Sequence, residues 1–128
     1  MKNHIYLIED ELDIMFVYKT ALKAADINAE TFSDGKSVMA KIKAIQAEKE
    51  PKPSLILLDL VLPDINGLEI LRAIRENEIT KDIVVYILSN YSSDALHNME
   101  YIKPDKFLLK SSITPTHLVE LVKEQLAK

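Results

Sequence analysis

The side chains of this 128-residue chain that could do chemistry stand at the carboxyl ends of short apolar runs. His4-Ile5-Tyr6-Leu7-Ile8 ends in Glu9-Asp10-Glu11, Leu55-Ile56-Leu57-Leu58 in Asp59, Ile83-Val84-Val85-Tyr86-Ile87-Leu88 in Ser89, and Lys106-Phe107-Leu108-Leu109 in Lys110. Ligands of open parallel sheets bind outside the carboxyl ends of the strands, so these four ends would share one crevice. Each residue alone has an ordinary explanation: acids at a helix start favour its dipole, a Ser caps a helix, and a Lys after a strand goes to solvent. Together they bring at least three carboxylates to one cation. At an effective dielectric near 20, like charges about 4 Å apart repel by roughly 4 kcal/mol per pair. A hard divalent cation with oxygen ligands, most simply Mg2+, relieves that repulsion. Such an ion with open positions can carry a phosphoryl oxygen, and Lys110 and Ser89 can bind the others. Asp59 is then the natural nucleophile, attacking a phosphoryl donor in line to give an aspartyl phosphate.

The elements that must position these residues are legible as a change of period. The apolar runs are short and rich in Ile, Val and Leu, as buried parallel strands are, with Ala29-Glu30-Thr31-Phe32 a weaker fifth member and Lys106–Leu109 at an edge. Between them apolar residues recur at helical spacing: Ile14, Val17, Tyr18 and Ala21; Val38, Ile42 and Ile45; Ile70, Ala73 and Ile74; Leu118, Leu121, Val122 and Leu126. Ser33-Asp34-Gly35 and Asn66-Gly67 have turn or helix-start chemistry, and Thr114 before Pro115 reads as an N-cap. Ser92-Ser93-Asp94 caps an expected fourth helix running through Tyr101. Strand and helix alternating five times predict an α/β fold: a doubly wound, five-stranded parallel sheet with helices on both faces.

Composition removes several other classes. With 48% hydrophobic residues, 28% charged and a net charge of -4, the chain reads as one ordinary globular domain, residues 1–128. None of the basic residues forms a run, which argues against direct nucleic-acid binding. Zero Cys excludes disulfides, thiolate metal sites and Cys nucleophiles. No apolar stretch approaches membrane-spanning length and there is no room for a signal peptide before the first run, so a cytoplasmic protein is expected. The two glycines, Gly35 and Gly67, are too few for a dinucleotide fingerprint. Gly35-Lys36-Ser37 ends like a P-loop, but Glu30 stands where its first Gly belongs.

On these residues the chain resembles the receiver domain of bacterial two-component response regulators, the CheY-like fold, in single-domain form. The most specific stretch is Leu57 to Gly67, with Asp59 at the strand end and the Pro63-x-x-x-Gly67 turn after it. The resemblance implies a sheet order of 2-1-3-4-5. It implies Mg2+ bound by Glu9, Asp10, Asp59 and the carbonyl of Val61, Asp59 as phosphoacceptor, and Lys110 against the phosphoryl group. Ser89 is the implied switch hydroxyl and Phe107 the switch aromatic. The partners it implies are a sensor histidine kinase or phosphotransfer protein, and a downstream protein at the face of the fourth helix, fifth strand and fifth helix, with Tyr101, Lys103 and Lys106 as exposed candidates. Three positions depart from the family: Glu9 stands where Asp is more usual, Asn90 where a small residue is common, and Ser111 where Pro follows the lysine. The last removes the residue that makes a cis peptide cheap. Val61 and Tyr91 match the positions that flank the path of attacking water, and neither orients water, so slow self-dephosphorylation is expected.

The same residues bear on two other functions. A pseudo-receiver, a phosphorylation-independent interaction module, is disfavoured by the intact Asp59 and Lys110. A small hydrolase using Asp59 as nucleophile lacks a lid and a second acid-base residue beside it. His4, His97 and His117 show no metal-ligand or relay spacing and are expected at the surface. Tyr6, Tyr86 and Met39 are expected in the core. With the last helix ending at Lys128, no output domain is expected within this chain.

Overall fold

The computed structural model describes residues 4–90 and 102–128. Along these residues the elements follow in the order β1 His4–Ile8, α1 Leu12–Ala24, β2 Asn28–Phe32, α2 Gly35–Gln46, β3 Leu55–Asp59, α3 Gly67–Arg75, β4 Val85–Ser89, β5 Lys106–Leu109 and α4 Pro115–Leu126, with a 3-10 turn over Lys110–Ser112. The expected helix from Ser92 to Tyr101, together with Tyr91 and His97, lies outside the described residues. All four ladders are parallel and the order is β2-β1-β3-β4-β5, the fold class and order expected.

Alternation along the strands divides the core in two. Tyr6, Ile8, Ile56, Leu58, Val85 and Ile87 face α2 and α3, and Ile5, Leu7, Leu55, Leu57, Tyr86 and Leu88 face α1 and α4. Every residue of β3 and β4 is buried, as strands covered on both faces must be. The helix starts are capped where the sequence suggests: Asp34, Asn66 and Thr114 accept from the amides of Ser37, Leu68 and His117. With so few glycines, α1 and α2 close on left-handed Asp26 and Glu48, each at φ 61°. Ile27 N then donates to Leu22 O and Lys49 N to Ala44 O, the six-residue closure of a Schellman motif.

Two expectations need correction. The stripe of α1 that meets the core is buried Tyr18 and Leu22 with half-buried Ile14, one residue in four, while Val17 is 48% exposed beside exposed Phe16 and Leu12. The fourth strand begins at Val85 and not Ile83, because the Ile83 carbonyl is taken by Arg75 at 2.7 Å. The same guanidinium holds the carbonyls of Lys81 and Lys103 and the carboxylate of Asp105, which also accepts from Val85 N, so it clasps the entries of β4 and β5. Among the described residues no peptide bond is cis, consistent with Ser111 in place of Pro.

Candidate functional site

β3 delivers Asp59 as its last residue, and its carboxylate is 3% exposed as a residue but fully engaged. Oδ1 accepts from Val61 N at 3.1 Å and Oδ2 lies 2.8 Å from Lys110 Nζ. Next to it β1 runs out into Glu9, whose amide donates to Phe32 O and so continues the β1–β2 ladder one residue past Ile8. Glu9 is wholly buried. Its Oε1 accepts from Glu11 N at 3.2 Å. Its Oε2 lies 2.7 Å from Lys110 Nζ, an ion pair that leaves this oxygen without a well-directed hydrogen bond. Asp10 is half-buried beside it, and one carboxylate oxygen from each of Glu9, Asp10 and Asp59 lies within 4.8 Å of the others.

Lys110 comes from the turn that follows β5, with its side chain 6% exposed. Burial works against its charge, but the bonds to Asp59 and Glu9 outweigh that and raise its pKa. Burial raises the Glu9 carboxyl to about 7, with the charge of Asp59 adding to the effect and Lys110 opposing it. Two buried carboxylates therefore share one ammonium, and the cluster is one positive charge short. The donor set, hard carboxylate oxygens with one of them lacking a directed donor, fits a hard divalent cation.

Asp10, Glu11, Asp59, Val61, Asn90 and Lys110 line a cleft of about 150 Å3 over this cluster. A second groove of about 370 Å3, walled by Ile14, Val17, Tyr18, Ile113 and Pro115, meets it at Asn90 and Lys110. Of the expected site residues, the structure thus brings together Glu9, Asp10, Asp59 and Lys110, with Val61 on the rim and 53% exposed. Ser89 is buried as the last residue of β4, one rung past the Leu88 that pairs with Asp59. Phe107 is half-buried against the α2–α3 side of the core, paired with Ile87 and away from the cleft lining. Gly67 opens α3, as the turn or helix-start chemistry of Asn66-Gly67 predicts, and it also shapes the site. Its amide donates to Leu60 O at 2.8 Å, and a Cβ there would lie 2.6 Å from Asp59 O and Leu60 Cα, so the chain after Asp59 folds back with no room for a side chain.

A doubly wound parallel sheet binds its ligands at the switch point outside the strand ends, and the lysine-bridged carboxylate cluster stands there, between β1 and β3. Residues 5–123 match the family model described as the response regulator receiver domain, and the chain belongs to that family. The response regulator receiver protein CpdR of Brucella abortus is 30% identical over 120 residues, covering 94% of this chain and 91% of CpdR. Chemotaxis protein CheV2 of Helicobacter pylori is 25% identical over 124 residues, 96% of this chain but 38% of CheV2. The crystal structure of the phosphorylated cyanobacterial phytochrome response regulator RcpA superposes with a TM-score of 0.79 at 27% identity, covering 97% of this chain and 91% of that one. The chain spans less than half the length of several curated relatives, CheV2 among them. Receiver domains are regulatory signalling modules and generally bind Mg2+ at an acidic pocket. No helix among the described residues is long and apolar enough to cross a membrane.

Proposed function

We propose that this receiver domain is a phosphoacceptor switch of a two-component phosphorelay, in which Asp59 takes a phosphoryl group from the phosphohistidine of a sensor histidine kinase or phosphotransfer protein. The observation that carries the reading is the convergence of Asp59, Glu9 and Lys110 within 2.8 Å contacts at the carboxyl ends of β3, β1 and β5. Glu9, Asp10, Asp59 and the Val61 carbonyl are the residues that would hold Mg2+, which when bound supplies positive charge to the phosphoryl oxygens. One Asp59 oxygen forms the new bond to phosphorus, the P–N bond to the donor imidazole breaks, and its electron pair leaves with the imidazole. Lys110 exchanges its contact with the Asp59 carboxylate for one with a phosphoryl oxygen. The Ser89 hydroxyl takes another, and Phe107 moves inward behind it.

Leu12, Phe16 and Val17, exposed by 68%, 71% and 48%, stand on the first turns of α1, and Val17 walls the groove that meets the cleft at Lys110. That apolar rim supports a protein donor alongside small donors such as acetyl phosphate. Output is proposed at the face made by β5 and α4, where Lys103 and Lys106 are exposed, with a protein and not nucleic acid as the partner in the cytoplasm. Amide exchange with and without beryllofluoride and Mg2+ tests the reading. Protection at Asp59 with changes through residues 85–90 and 106–112 is expected. No change anywhere overturns the phosphoacceptor role, and changes confined to the neighbourhood of Asp59 overturn the coupling to the output face.

A further inference from the structure

The Gly35-Lys36-Ser37 triplet that ends like a P-loop opens α2, and its first two amides do hold an anion, supplied by the chain itself. Gly35 N donates to Asp64 Oδ1 at 2.7 Å and Lys36 N to Asp64 Oδ2 at 2.9 Å, across 29 and 28 residues. A helix start leaves such amides unsatisfied and favours negative charge. The helix's own cap, Asp34, serves only Ser37 N, at 2.7 Å. Asp64 belongs to the segment after Asp59, so the bond ties that segment to another element. The fit is tight: a Cβ on Gly35 would lie 2.6 Å from Ile65 Cβ. The same segment is drawn closed at its ends by Gly67 N on Leu60 O, and Val61 N reaches back to Asp59 Oδ1. It is therefore pinned at both ends and moored at its middle.

We propose that Asp64 is a positioning residue for the metal site: by mooring residues 60–67 to the start of α2 it sets where the Val61 backbone stands against Asp59. This rests on the proposed reading of Asp59 and the Val61 carbonyl as Mg2+ ligands. A bare helix cap would stabilise α2 and leave the metal untouched, and Asp34 provides that comparison on the same helix. Second-layer partners of metal ligands typically change affinity by about tenfold or more when removed.

The test titrates MgCl2 into the full chain by calorimetry and follows amide exchange at Val61, for the native protein, Asp64→Ala, Asp64→Asn, Gly35→Ala and Asp34→Ala. Asp64→Ala and Gly35→Ala, which attack the contact from opposite sides, are expected to weaken Mg2+ by roughly tenfold and to speed Val61 exchange. Asp64→Asn, which keeps one acceptor oxygen, should fall between, and Asp34→Ala should bind Mg2+ like the native chain. Native affinity in Asp64→Ala, or an equal loss in Asp34→Ala, overturns the proposal. If the native chain binds no Mg2+, the reading of the metal site fails, and Val61 exchange then decides the mooring alone: unchanged exchange in Asp64→Ala refutes it.

Discussion

Lys110 Nζ stands 2.8 Å from Asp59 Oδ2 although the two residues close strands that do not touch, with β4 lying between β3 and β5. The long lysine side chain spans that strand and reaches Glu9 on β1's side as well, so one ammonium holds together three strand ends. Replacing it with Met leaves two buried carboxylates facing each other. Breaking a buried pair costs about 3 to 5 kcal/mol, and proton uptake by Glu9 should keep the loss to about 3 kcal/mol. Saturating Mg2+ should recover much of it. Urea denaturation with and without MgCl2 measures both quantities, and a metal-free Lys110→Met variant as stable as the native chain contradicts the account.

The raised Glu9 pKa has a signed consequence. In the unfolded chain this carboxyl titrates near 4.5 and in the folded one near 7, so between these values the folded state holds a proton the unfolded state has lost. Its contribution to stability is therefore fully present below the unfolded value and fades as the pH rises through the folded one. Glu9→Gln cannot titrate, so without Mg2+ its stability relative to the native chain should grow from about pH 5 to about pH 7.5. Parallel stability curves would place the buried proton elsewhere.

Glu48 sits at φ 61°, a conformation that costs an L side chain roughly 1 kcal/mol or more and glycine nothing. Glu48→Gly should therefore raise stability by about 1 kcal/mol in chemical denaturation, with Mg2+ affinity unchanged. A destabilised variant would mean that the Glu48 side chain supplies more than the strain removes.

Val61 borders the cleft with an apolar, half-exposed side chain that cannot orient water. Val61→Asn is expected to shorten the lifetime of the phosphorylated chain by roughly tenfold, since a positioned nucleophile gains its rate from orientation. Adding Tyr91→Glu should shorten it further. Following loss of phosphate at saturating Mg2+ checks this, and equal rates in native and variant chains would show that other groups set the lifetime.

What was legible in the sequence was local. A strand end shows as an apolar run stopped by a polar residue, which is why Glu9, Asp59, Ser89 and Lys110 stand where the run lengths put them. The caps Asp34, Asn66 and Thr114 are legible for the same reason, since each bonds an amide two or three residues on. Val17 was misread because apolar spacing marks a stripe without saying which edge of it meets the sheet, and α1 turns that edge outward. Contacts between distant segments carry no local signal. The Asp64 bond to Gly35 spans 29 residues, and nothing in the Pro63-to-Gly67 turn announces it. The contact of Glu9 Oε2 with Lys110 carries no local signal either, because side-chain length and burial set it.

The central claim, that Asp59 is the residue modified, is tested most directly by intact-mass spectrometry of the chain incubated with acetyl phosphate. The account predicts one added phosphoryl group on the native protein when Mg2+ is present, none when it is chelated, and none on Asp59→Asn. A native chain that stays unmodified with Mg2+ present, or an Asp59→Asn variant labelled as fully as the native one, contradicts it.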